Sequence, residues 1–116
     1  AMEVAPSKAS AYGLLDIKED MGSLVSVKGM VEKPEPEDAP SNLAVIGRYI
    51  LTPEIMKNLD TQDRGAGGEI QLTDAIAKEI SNSDNVFGYR FEGTRYDCGS
   101  KAGFLQATVE CRRAAQ

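Results

Sequence analysis

Apolar positions along this chain fall into short runs with two different periods. Residues 12–17 and 23–31 are rich in aliphatic and β-branched side chains with partial alternation, which predicts two strands, with Val25, Val27 and Val31 on one face. The charged segment 18–22 joins them as a hairpin. Gly13, near the start of the first strand, predicts a bulge or a close approach to the backbone. Residues 43–51 are apolar on both faces, the pattern of a central strand covered by layers on either side. Arg48 interrupts that run and either pairs with a buried carboxylate, the commoner arrangement, or snorkels to an edge. Residues 86–91 form a further strand, with Phe87, Tyr89 and Phe91 as a core stripe.

Between and after these strands the period changes to that of helices. Thr52-Pro53-Glu54 is a helix start, a hydroxyl N-cap followed by proline and an acid, with Ile55, Met56 and Leu59 as the buried stripe and a stop near Asp60. Residues 69–81 place Leu72, Ala75, Ile76 and Ile80 on one face. The preceding Gly65-Ala66-Gly67-Gly68 looks like an anion cradle. No P-loop lysine follows it and Glu69 would repel phosphate, so it reads first as a connection. Ser100 caps a last helix, with Phe104, Leu105, Thr108, Val109 and Cys111 toward the core. Residues 1–11 read as an irregular lead-in with Ala1 as a residual tag residue, 12–111 as the domain and 112–116 as a tail.

Composition narrows the function. The 116 residues allow at most one domain, and no apolar run approaches the roughly 20 residues of a membrane span. A net charge of −5 argues against a nucleic-acid surface. Cys98 and Cys111 are too few for a disulfide framework and lack zinc spacing, which predicts reduced thiols and a cytoplasmic setting. The chain has no histidine. Carboxylates, lysines, arginines and backbone N–H groups must therefore carry any catalysis.

Val31-Glu32-Lys33-Pro34 brings one carboxylate and one ammonium to a strand end. Pro34 cannot donate to the ladder and biases Lys33 toward an extended conformation ahead of the acidic loop 35–41. Strand ends beside a crevice are where open α/β sheets bind ligands. On these four residues alone a surface ion pair competes with a site. Asn42 is either a turn cap or an amide offered to a ligand. Asp97, at a second strand end before Gly99, is either a turn former or a magnesium ligand, since a hard cation needs few protein carboxylates when phosphates supply the rest.

Val31-Glu32-Lys33-Pro34, Ser41-Asn42-Leu43-Ala44 leading into Gly47-Arg48-Tyr49-Ile50-Leu51-Thr52-Pro53, residues 65–74, and Arg90-Phe91-Glu92-Gly93 before Arg95-Tyr96-Asp97-Cys98-Gly99 occur in order with compatible spacing. Together they resemble the C-terminal half of bacterial UTP-glucose-1-phosphate uridylyltransferase over nearly the whole chain. The resemblance implies an α/β class: the C-terminal part of a Rossmann-like nucleotidyltransferase fold, a mixed sheet with about three helices. It implies a family that couples UTP and glucose 1-phosphate, with magnesium, to give UDP-glucose and pyrophosphate. It implies that Glu32 accepts from glucose hydroxyls and that Lys33 pairs with the sugar phosphate. Gly13, Asn42 and Ala44 would line the sugar pocket, and Asp97 matches the magnesium position of related thymidylyltransferases. The family's Gly-x-Gly-Thr-Arg nucleotide loop is not in this sequence. The expectation is a fragment holding the sugar-phosphate half of a split site, inactive alone and self-associating, with a domain-swapped dimer as one form. Two alternatives remain: another sugar-1-phosphate nucleotidyltransferase, which the Gly-Gly-Glu-Ile-Gln-Leu-Thr-Asp segment disfavours, and a non-catalytic sugar-phosphate-binding or oligomerisation module.

Overall fold

The computed structural model describes residues 1–65 and 68–115; Ala66 and Gly67 of the glycine-rich loop, and Gln116, lie outside the described residues. The strands are β1 (Met2–Glu3), β2 (Gly13–Asp20), β3 (Leu24–Glu32), β4 (Leu43–Ala44) and β5 (Phe87–Tyr89), and the helices α1 (Pro53–Thr61), α2 (Leu72–Asn82) and α3 (Lys101–Ala114). The sheet order is β1-β4-β2-β3-β5. The α/β class and three helices match expectation. The described pairings are antiparallel throughout, where a mixed sheet was expected.

The β2–β3 hairpin forms as its pattern predicts, and it carries two irregularities. Register shifts between Asp16 and Ile17 and between Ile17 and Glu19 leave Lys28 and Lys18 without a register partner across the hairpin. An extra residue inverts the side-chain alternation beyond it. Val25 and Val27 are therefore buried while Val31 is turned outward, and Met30 packs against the core instead. At the turn Gly22 has φ of 88°, and its N–H donates to Asp20 Oδ1 at 3.0 Å. Arg90, just past β5, clamps this turn: its Nη1 donates to Asp20 Oδ1 at 2.8 Å and to the Gly22 carbonyl at 2.5 Å, and its Nη2 to Asp20 Oδ2 at 2.7 Å.

Adjacent residues of a strand face opposite ways, so Leu14 and Leu15 serve two cores. Leu15 joins Val25, Val27, Leu43, Ile55, Ala75, Ile76 and Ile80 between the sheet and helices α1 and α2. Leu14 joins Ala9 and Ala44 on the other face. Ala9 lies in a 3-10 turn over Pro6–Ala11, and β1 pairs with β4, so the lead-in expected to be irregular is ordered.

Several apolar stretches are less covered than their patterns imply. Of residues 43–51 only β4 is strand; Gly47 turns the chain at φ of 87°, and Ile50 is fully exposed. No strand among the described residues pairs with 48–51, and Arg48 is exposed without a buried carboxylate partner. In α1, Pro53 takes the first helical position as expected, but Thr52 makes no side-chain cap and Met56 is exposed, leaving Ile55 and Leu59 as the contact. Helix α2 starts three residues later than expected, with Asp74 rather than Glu69 in its first turn. In β5 the buried residue is Gly88, because an added Cβ there would meet Leu15 and Val25, and the aromatics Phe87 and Tyr89 face out. Ser100 caps α3, its Oγ accepting from Gly103 N–H at 3.0 Å. That helix buries no residue: Phe104, Leu105 and Val109 are exposed, Cys111 is exposed rather than structural, and the helix continues through Ala114.

Candidate functional site

The paired end of the hairpin sets the site. Gly13 and Glu32 are register partners, and the Val45 N–H donates to the Gly13 carbonyl at 2.9 Å. A Cβ on Gly13 would stand 2.8 Å from Glu32 Oε2, so the glycine is there for close approach, and what approaches is the Glu32 carboxylate. Lys33 departs from expectation. It is left-handed, at φ of 46°, with its N–H donating to the Tyr12 carbonyl at 3.0 Å. A β-carbon in that region, ahead of proline, is strained by about 1–3 kcal/mol and persists because the surrounding backbone fixes it.

Glu32 and Gly13 border a cleft of about 460 Å³ that Tyr12, Tyr49, Arg95 and Asp97 also line. Burial, and then the Glu32 charge, hold the Tyr49 phenol above its usual value, so Tyr49 stays neutral beside the carboxylate. The opposite happens at Asp97. The Gly99 N–H donates to its Oδ1 at 2.9 Å, and Arg95 Nη2 donates to its Oδ2 at 3.3 Å. The Gly99 hydrogen bond, then the Arg95 charge and hydrogen bond, keep that carboxyl below the ordinary range. Asp97 is therefore the turn former and an anion paired with Arg95. Arg95 also lies 5.6 Å over the Tyr12 ring and donates from Nη1 to the Tyr12 hydroxyl at 3.3 Å.

A larger hollow of about 860 Å³ adjoins this cleft, lined by Leu15, Met30, Val86 and Phe87 and by no carboxylate. Its lining also includes Arg48, Tyr49, Tyr89 and Tyr96, and it shares Arg95 with the smaller cleft. The smaller cleft differs in bringing two carboxylates, Glu32 and Asp97, beside the shared Arg95 guanidinium, which makes it the candidate site.

The structure thus brings Gly13, Glu32 and Asp97 to one cleft. Lys33 follows Glu32 in sequence but does not line it. Ala44 is fully buried in β4, and Asn42 is exposed, using its carbonyl to accept from Val4 N–H at 2.9 Å. The capping role belongs to Ser41, whose Oγ accepts from Leu43 N–H at 3.0 Å and donates to the Leu15 carbonyl at 2.5 Å. Sequence reasoning missed Tyr12, Tyr49 and Arg95. A signal existed for Arg95, since residues two apart in an extended chain share a side and Arg95 precedes Asp97 by two.

For a divalent cation the donor set is thin. Among the described residues no cluster of three carboxylate, cysteine or histidine side chains could hold a metal. Asp97, paired with Arg95, could offer a divalent cation one anionic ligand, and one suffices only when substrate phosphates complete the shell.

The family model for nucleotidyl transferases matches residues 1–113. The chain belongs to that family. Among curated relatives of this nucleotidyl transferase chain, a UTP–glucose-1-phosphate uridylyltransferase of Komagataeibacter xylinus is 56% identical over 99 residues, 85% of this chain and 34% of the relative. One of the same description from Pseudomonas aeruginosa is 50% identical over 111 residues, 95% of this chain and 39% of the relative. A solved apo UDP-glucose pyrophosphorylase superposes with a TM-score of 0.92 at 43% identity, over 99% of this chain and 42% of that one. A solved UDP-glucose pyrophosphorylase complexed with UDP-glucose gives 0.88 at 43% identity, over 97% of this chain and 42% of that one. The chain spans well under half the length of each of these relatives. No helix among the described residues is long and apolar enough to cross a membrane.

Proposed function

We propose that this chain supplies the sugar-phosphate half of a site that couples UTP and glucose 1-phosphate to UDP-glucose and pyrophosphate. The observation that carries the reading is the meeting of Gly13, Glu32 and Asp97 at one cleft, in a chain 50% identical to a uridylyltransferase over 95% of its length. In this reading residues 12–111 bind the sugar phosphate. Glu32 accepts from glucose hydroxyls and the backbone at Gly13 frames the pocket, while Asn42, Ala44 and Lys33, which do not line the cleft, would contribute from beside it, Lys33 by pairing with the phosphate. Asp97 gives one ligand to magnesium, which when bound neutralises charge on the phosphates. In-line displacement at phosphorus asks a protein for little beyond position and charge neutralisation, and a cleft of carboxylates and cations can supply both. The exposed thiols of Cys98 and Cys111 agree with a reducing, cytoplasmic setting.

The chain alone holds no nucleotide loop of the Gly-x-Gly-Thr-Arg kind, so we infer that it is inactive alone. Incubation with UTP, glucose 1-phosphate and magnesium is expected to give no UDP-glucose. Titration with UDP-glucose, followed by amide shifts, is expected to perturb Gly13, Glu32 and the loop around Asp97 together. Shifts confined to other surfaces would overturn the assignment. Turnover that survives purification and disappears in a Lys33→Ala chain would overturn the inactivity.

A further inference from the structure

We propose that Arg95 is a phosphate-contacting residue of this cleft. The inference rests on the sugar-phosphate reading above and adds a residue to it. Glu32 and Asp97 both line the cleft, and both repel a phosphate dianion. Among the described residues that line it, Arg95 is the only cation. Lys33, turned by its left-handed backbone, lies outside that lining.

The geometry around Arg95 is that of a guanidinium held in place with donors to spare. Its Nη1 donates to the Tyr12 hydroxyl and its Nη2 to Asp97 Oδ2, each at 3.3 Å, and its plane is carried 5.6 Å over the Tyr12 ring. A guanidinium has five N–H donors, so these two bonds leave others for a ligand. The Tyr12 ring and the Asp97 carboxylate restrict the side chain, which lowers the ordering cost of binding. Arginine's planar fork suits two oxygens of one phosphate, a match that an ammonium cannot make. Tyr12 also ties the residue to the strand end, because its carbonyl accepts from Lys33 N–H.

The test titrates the 116-residue chain and its variants by calorimetry with glucose 1-phosphate and, separately, with glucose, amide spectra reporting the fold of each variant. Arg95→Ala is expected to weaken glucose 1-phosphate by about ten- to a hundredfold, the loss of hydrogen bonds to a charged group, and to leave glucose unchanged. Arg95→Lys should fall between, since it keeps the charge and loses the fork. If Arg95→Ala disturbs the fold, Arg95→Lys and Arg95→Gln carry the comparison. An unaltered glucose 1-phosphate affinity in a folded Arg95 variant would overturn the inference and spare the sugar-phosphate reading. Equal losses for glucose and glucose 1-phosphate would reduce Arg95 to a structural tie and also overturn it. No binding of glucose 1-phosphate by the unaltered chain would overturn both.

Discussion

Gly13 controls where the Glu32 carboxylate sits. A methyl group there meets Glu32 Oε2, the mobile end of a long side chain, which can swing away at little cost. Gly13→Ala should therefore leave thermal stability within about 1 kcal/mol of the parent, helped by a stiffer unfolded chain, while weakening glucose 1-phosphate. Melting and calorimetry on the same sample separate the two effects. A different balance holds at Asp20. Its carboxyl is lowered chiefly by hydrogen bonding to Arg90, so the pair stabilises the fold above the unfolded-state carboxylate value and is lost as pH falls through the folded one. Asp20→Asn is expected to lower the melting temperature near pH 7, with the difference closing in acid. A gap that stays constant from pH 7 down to strong acid would mean that Arg90 does not clamp the turn.

At the scale of elements, helices α2 and α3 both place apolar residues at helical spacing, more weakly in α3, and have different fates. Ile76 is buried against the sheet, so Ile76→Ala should cost about 2–5 kcal/mol in denaturant unfolding. Leu105 is 64% exposed, and Leu105→Ala should change stability by about 0.5 kcal/mol or less. Periodicity reports which face of a helix is apolar, and says nothing about whether a neighbour covers it; that is why the α2 stripe was legible and the α3 core was not. The same limit explains residues 43–51 and the aromatics of β5. Local signals did better: the hairpin, Pro53 at a helix start and the Ser100 cap depend on a few adjacent residues, and all three formed. The inversion at Lys28 was illegible, because a bulge depends on how two strands pair rather than on either one's pattern.

For the whole molecule, the uncovered surface is the prominent feature. Ile50, Phe87, Tyr89, Phe104 and Leu105 are all exposed in a chain that spans 39% of its Pseudomonas aeruginosa relative. Exposed apolar patches and short sheet edges favour association, so light scattering across a concentration series is expected to show a self-associated species, a dimer in the simplest case. A monomer at every concentration would mean that the described core is sufficient by itself. The structure places Glu32, Gly13 and Asp97 at one cleft, and their positions at strand ends or turns were legible in the sequence. Lys33's backbone was not, because proline's bias on the preceding residue was overridden by the Tyr12 contact. The sugar-phosphate half of a uridylyltransferase site, proposed for this chain, can be tested in place. The most direct measurement grafts the chain into the Pseudomonas aeruginosa relative instead of the matching stretch and follows UDP-glucose formation from UTP and glucose 1-phosphate. The graft is expected to turn over, with a loss of more than about tenfold in Lys33→Ala from one removed charge contact and a smaller loss in Arg48→Ala. A folded graft with no turnover, or one whose rate is indifferent to Lys33, would contradict the proposed role.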